Sequence, residues 1–147
     1  MRVNETCREA VAAARHRLAD GVEMKIDTPL ADSYTVVTDQ HRLRQVLVNL
    51  LTNAEKNTPK GCIVLSCSLS EHPGMLTFAV ADTGTGVPRD RQADIFERFK
   101  KSDLGKPGTG LGLYICRTIV SKLGGEINID SEYTGGARFW LTIPIVQ

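Results

Sequence analysis

The sequence predicts an α+β fold, a two-layer sandwich of helices on one sheet. Three features of the 147-residue chain point to it. Over Gln40 to Asn57, Leu43, Val46, Leu47, Leu50, Leu51 and Ala54 recur at three- and four-residue steps, the period of an amphipathic helix. Cys62 to Leu69 and Met75 to Ala81 are strand-favouring runs joined by the turn signal Glu71-His72-Pro73-Gly74. Glu126 to Asp130 and Arg138 to Ile143 form a second strand pair around Gly135-Gly136. Strands paired by hairpins, with helices in separate stretches, stack as two layers.

The other elements follow in order. Glu5 to Leu18 is rich in Ala and Arg and reads as a helix. Val22, Met24 and Ile26 alternate with charged residues, as in a half-exposed strand. Tyr34 to Thr38 is a short β-favouring run, and Thr58-Pro59-Lys60-Gly61 ends the long helix. Arg89 to Glu97 reads as a short helix, and Lys100 to Gly110 as a polar, glycine-rich loop. Leu111 to Leu123 is a second long helix, stopped by Gly124-Gly125. With no repeat and no linker composition, residues 1–147 are expected to be one domain.

Composition excludes several function classes. An apolar share of 41% and a charged share of 24% suit a globular domain with one core. The formal net charge of +1 gives no broad field to attract nucleic acid or anionic lipid. No apolar run approaches the roughly 18 residues of a membrane span, and no secretory signal is visible. Cys7, Cys62, Cys67 and Cys116 form no C-x-x-C pair and read as reduced, largely buried thiols of a cytosolic protein. Cys62 and Cys67, at odd spacing in one strand, are expected on opposite faces.

Three segments carry chemistry. Asn49, Asn53 and Lys56 fall at i, i+4 and i+7 of the long helix, on a ridge about a third of a turn from the apolar stripe. Two amides and an ammonium suit a polyphosphate with a hard cation, since an amide oxygen can ligate Mg²⁺ and an ammonium can reach a phosphate. The same spacing also describes a solvated helix face. Asp82 ends a strand and enters Thr83-Gly84-Thr85-Gly86. A buried carboxylate there can accept from an exocyclic amine in a bond worth about 1.5–3 kcal/mol. That would select adenine, whose N6 donates, over guanine, whose O6 does not. Asp82 in a plain Asx turn is the alternative. Gly108-Thr109-Gly110-Leu111-Gly112 precedes a helix, where free N–H groups and roughly half a unit of dipole charge make an anion site. A flexible loop with a glycine helix start is equally compatible. No G-x-x-x-x-G-K-[ST] is present, so this is not a P-loop.

In order and spacing, these segments resemble the N, G1 and G2 boxes of the ATP-binding catalytic domain of sensor histidine kinases. Ile95-Phe96-Glu97-Arg98-Phe99 stands where that family has its F box. The resemblance runs from about Val3 to Pro144. It implies a Bergerat-type fold, a mixed and mostly antiparallel sheet covered on one face by helices, with ATP and Mg²⁺ as cofactors. By resemblance Asn53 ligates the nucleotide-bound Mg²⁺, Lys56 contacts phosphate and Asn49 is a further polar N-box position. Asp82 would read adenine beside Gly84 and Gly86, and Gly108, Thr109, Gly110, Leu111 and Gly112 would bind the triphosphate. Asn49, Lys56 and Lys101 are the residues expected nearest the transferred phosphoryl group. Lys100 to Pro107, with Lys100, Lys101 and Lys106, is a candidate basic lid, with Phe96 and Phe99 at its base.

Three positions depart from the family pattern. Asn57 stands where an aromatic often follows the N-box lysine, Lys101 where an arginine is common, and Ala137 where a threonine is common. Asn49 stands where the gyrase B and mismatch-repair ATPases have a glutamate. An amide cannot act as a general base on water, so phosphotransfer is favoured over a hydrolytic clamp. A stand-alone serine kinase of the anti-sigma type is the other alternative, and a degenerate binding module is disfavoured by the presence of Asn53, Asp82 and the G2 glycines. His16, His41 and His72 lack the H-E/D-x-x-x-P setting of a phosphoacceptor. The resemblance therefore implies a separate phosphoacceptor-histidine dimerisation domain in the parent kinase and a response regulator downstream. It implies no nucleic acid, no membrane contact by the domain itself, and a cytoplasmic position in a membrane-anchored parent.

Overall fold

The computed structural model describes residues 1–97 and 112–145. Helix α1 (Val3–Ala14) tightens into a 3₁₀ turn at Arg15–Arg17 and is followed by β1 (Val22–Asp27). Helix α2 (Gln40–Asn57) opens on Asp39, whose side chain accepts from the Arg42 amide at 3.1 Å, an N-cap. Strands β2 (Gly61–Ser68) and β3 (Met75–Asp82), the short helix α3 (Arg89–Gln92), α4 (Gly112–Lys122), β4 (Ile127–Ile129) and β5 (Arg138–Pro144) complete the chain.

The sheet order is β1-β2-β3-β5-β4. β1 runs parallel to β2, and the other pairs are antiparallel. The mixed, mostly antiparallel sheet expected from the resemblance is therefore present. Alternation puts Met24, Ile63, Leu65, Cys67, Phe78, Val80, Phe139 and Leu141 on one buried face. Against that face lie α1, α2 and α4, with α2 between the other two. Leu43, Val46, Leu47, Leu50, Leu51 and Ala54 of α2 are all buried, the stripe the sequence predicted. Each such leucine stabilises the fold by about 1.5–3 kcal/mol on burial. Cys67 points into this core and Cys62 to the opposite face, as their spacing requires. On that opposite face His72 stacks on Trp140 at 4.9 Å and reaches Thr77 Oγ1 at 3.1 Å.

Two expectations are corrected. Tyr34 to Thr38 is not a strand; it makes one antiparallel bridge, Thr35 to Arg2, and its Tyr34 carbonyl accepts from the Val3 amide. That segment is spent on closing the first turn of α1 rather than on a sheet edge. The helix expected over Arg89 to Glu97 stops at Gln92 and continues as turns. Ile95 and Phe96 are drawn into the core there, Phe96 edge-on to Phe139 at 6.0 Å. Phe99, Lys100, Lys101, Lys106, Gly108, Thr109, Gly110 and Leu111 lie outside the described residues. No helix among the described residues is long and apolar enough to cross a membrane.

Candidate functional site

Asp82 is the last residue of β3 and is buried to 1% exposure. Its backbone stays in register with the start of β5, the Asp82 amide donating to the Ala137 carbonyl at 2.8 Å. Its Oδ1 accepts two backbone amides, Gly84 at 2.9 Å and Ala137 at 3.2 Å. The first of these is the Asx turn that D-x-G-x-G suggested. The turn and the binding reading are compatible, because both amides fall on one oxygen and neither uses Oδ2. Burial pushes the Asp82 carboxyl above its ordinary pKa, against the pull of the Gly84 and Ala137 amides and the Thr58 hydroxyl. A carboxylate kept buried at that cost is a candidate for recognition.

The loop that follows is sewn to three elements. Thr83 exchanges two bonds with Cys62, its amide donating to the carbonyl at 3.2 Å and its hydroxyl accepting the amide at 3.0 Å. The Thr85 amide donates to the Asn57 carbonyl at the end of α2, at 3.0 Å. Glycine is required where these backbones meet. A Cβ on Gly84 would stand 1.9 Å from the Asn57 carbonyl oxygen, and one on Gly136 would stand 1.9 Å from that of Asp82. Gly86, with φ +72°, approaches Gly136 less closely, a Cβ there coming within 2.9 Å of the carbonyl oxygen.

The ridge on α2 is built differently. Asn49 and Asn53 are half-buried and Lys56 is exposed. Burial pushes the Cys116 thiol of α4 up to about 12, against the pull of the Asn49 side chain. The thiol itself donates to the Val46 carbonyl at 3.9 Å, a bond from α4 to α2. The Asn53 carbonyl accepts from the Asn57 side-chain amide at 3.0 Å, so Asn57, the departure from the aromatic, caps the last turn. Helix α4, which starts at Gly112, packs beside α2, and the end of α2 is bonded to the loop after Asp82 through Thr85 and Asn57. Lys101, Gly108, Thr109, Gly110 and Leu111 are not placed. A Cβ on Gly112 would meet nothing within 4 Å, so no close approach among the described residues demands a glycine there. Two participants escaped the sequence reading. The Ala137 amide has no side-chain signature, and Thr58 passed for a helix stop.

Residues 38–147 match the family described as histidine kinase-, DNA gyrase B- and HSP90-like ATPases. The chain belongs to that family. Among curated proteins it is 37% identical over 142 residues to the adaptive-response sensory kinase SasA of Trichormus variabilis, covering 95% of this chain and 35% of that one. It is 35% identical over 133 residues to the autoinducer 2 sensor kinase/phosphatase LuxQ of Vibrio parahaemolyticus, covering 85% of this chain and 16% of that one. The chain spans about a third of the length of SasA, and less of LuxQ. Among solved structures it superposes on full-length ShkA in complex with AMPPNP, with a TM-score of 0.84, 35% identity, and 98% of this chain and 30% of that one covered. On the nucleotide-free catalytic domain of the histidine kinase ThkA the TM-score is 0.80, with 26% identity, and 99% of this chain and 93% of that one are covered. The expected α+β fold and the family are both supported, and with them an ATP-directed site of the sensor-kinase type.

Proposed function

We propose that residues 1–147 act as one ATP-binding catalytic module of a sensor histidine kinase. The module binds Mg·ATP and presents the γ-phosphate to a histidine on a separate phosphoacceptor dimerisation domain, with a response regulator downstream. One observation carries the reading: a buried Asp82 with Oδ1 pinned by two amides and Oδ2 left over, at a corner shared with the α2 ridge. The ionised Oδ2 would accept the adenine N6 amine. Asn53, Lys56 and Asn49 would face the phosphates, and Gly108, Thr109, Gly110, Leu111 and Gly112, with Lys101, would complete that side by resemblance. A hard cation fits this donor set, since Mg²⁺ takes one or two protein oxygens and fills its sphere with phosphate and water. Asn53 offers such an oxygen on a half-buried ridge. When bound, Mg²⁺ neutralises phosphate charge.

The acceptor is placed on another domain because the chain's own histidines are engaged or remote. His72 stacks on Trp140 and reaches Thr77, and His41 contacts Arg44 at the far end of α2, about 22 Å along the helix from Lys56. His16 is exposed in the 3₁₀ turn after α1. A gyrase-type clamp is disfavoured because Asn49 is an amide and cannot act as a general base on water. Titration calorimetry tests the reading. Wild type should prefer ATP to GTP, and Asp82→Ala should weaken ATP about 10- to 100-fold, the worth of a hydrogen bond to a charged group. Equal affinity for the two nucleotides would remove Asp82 from adenine recognition.

A further inference from the structure

Oδ1 of Asp82 accepts from the Gly84 and Ala137 amides, so both of these bonds fall on one oxygen of the carboxylate. A third donor would add resistance to rotation of the carboxyl about Cβ–Cγ and so hold Oδ2 more firmly. The Thr58 hydroxyl stands in that place. Thr58 is the residue after α2, is 1% exposed, and its Oγ1 is buried with no hydrogen-bond partner among the described residues. It is near enough to the Asp82 carboxyl to pull its pKa down, against the effect of burial. Its position is fixed from two sides. The preceding carbonyl, Asn57, accepts from Thr85 at 3.0 Å, and Gly84 lies so close that a Cβ there would stand 2.8 Å from Thr58 Oγ1. The β-branched side chain adds a restricted χ1. Ala137, just before β5, gives the corner its amide and a methyl, so no hydroxyl comes from that side chain.

We propose that Thr58 is a positioning residue for base recognition: its hydroxyl donates to the Asp82 carboxylate and sets the direction of the oxygen left for the nucleotide base. The proposal rests on the reading of Asp82 as the adenine-binding group and adds what makes that group selective. A hydroxyl has one proton. Committed to Asp82, it has none to offer the O6 of a guanine, and it holds the carboxylate as an acceptor toward an amine. Thr58 also joins the two halves of the site, since it follows directly on the helix that carries Asn49, Asn53 and Lys56. A shift of that helix would be felt at Asp82 through one side chain.

Calorimetry of the full 147-residue chain with ATP and with GTP, in Mg²⁺, tests this. Thr58→Val keeps shape and removes the proton. It should weaken ATP about tenfold and leave GTP unchanged, so that the ATP-to-GTP preference falls by the same factor. Thr58→Ser restores the hydroxyl and should return ATP affinity to within about threefold of wild type, a rescue that mere packing would not give. Should Thr58→Val fail to fold, Thr58→Ala against Thr58→Ser makes the same comparison with a smaller side chain. Valine and serine variants that bind ATP equally, whether at wild-type strength or both weakened, would overturn the proposal. Asp82→Asn separates the two levels. If it weakens ATP while Thr58→Val does not, only the positioning role fails; if it binds ATP as wild type does, the adenine reading fails as well.

Discussion

Asp82 is held by the backbone of its neighbours, whereas Asn49, Asn53 and Lys56 ride on a helix whose backbone bonds do not depend on them. At the Asp82 corner nearly every contact has main chain on at least one side: Asp82 to Ala137, Thr83 to Cys62, Thr85 to Asn57. Each is local in space and remote in sequence, and each needs a glycine or a tight turn nearby. On α2 the ridge is a by-product of a helix that forms for other reasons, namely the buried stripe from Leu43 to Ala54 and the Asp39 cap. The lesson concerns tolerance. A site made of backbone cannot be edited one group at a time without moving the fold. A site made of side chains on a helix can be emptied while the fold stays.

The sharpest way to break the contrast is Gly84→Ala. The added Cβ would meet the Asn57 carbonyl at 1.9 Å, a backbone atom that cannot swing aside as a side chain tip would. Loop and helix end must separate, and the Thr85 to Asn57 bond goes with them. We expect a loss of about 3 kcal/mol in urea unfolding, the upper end of overpacking costs, with nucleotide binding lost alongside. An alanine variant as stable as wild type would mean the corner is softer than its contacts require.

The converse is Asn53→Ala on the ridge. The bond its backbone carbonyl receives from Asn57 is unaffected by truncation, and alanine is the better helix former by up to about 0.7 kcal/mol. Stability should hold or rise slightly in the same urea experiment. The Mg²⁺-dependent part of ATP affinity should disappear, a loss of about tenfold or more if a ligand to the cation is gone. An unchanged response to Mg²⁺ with the fold intact would take Asn53 out of the cation site.

The same contrast explains what could be read from the chain. The boundaries of α2, β1 and β2 follow from periodicity, since buried residues repeat at the spacing of their own element. The ridge was legible for the same reason, as it is a second stripe on a known helix. The corner was legible only as Asp82 and its glycines. Which oxygen is used, by which amides, depends on β5 meeting β3 some 55 residues away. Tyr34 to Thr38 has strand composition, yet its backbone is taken by Arg2 and Val3, a tertiary choice that local propensity does not record. The parallel pairing of β1 with β2 is likewise a long-range event, which no hairpin signal announces.

The smallest effect expected is one of pH, and it also divides the two regions. Asn49 and Asn53 are amides and do not titrate, whereas Asp82 carries a carboxyl whose folded pKa burial has raised above its unfolded value. The folded state therefore binds the proton more tightly than the unfolded one. The stability this contributes is present below the unfolded pKa and is lost as pH rises through the folded pKa. Nucleotide binding should move the other way across that window. A protonated Asp82 carries a donor where the adenine amine needs an acceptor, so ATP affinity should rise as the carboxyl ionises. Exposed carboxyls blur the raw curves; Asp32, held low by Asn4 and Arg8, contributes with opposite sign at lower pH. The difference between wild type and Asp82→Asn cancels them. Unfolding and calorimetry at stepped pH from about 4 to 7, a span bracketing ordinary and raised carboxyl values, should give wild type a falling stability and a rising ATP affinity relative to the variant. Parallel curves for the two proteins in both measurements would mean that the Asp82 carboxyl does not titrate between these states, and that burial costs it nothing that binding could recover.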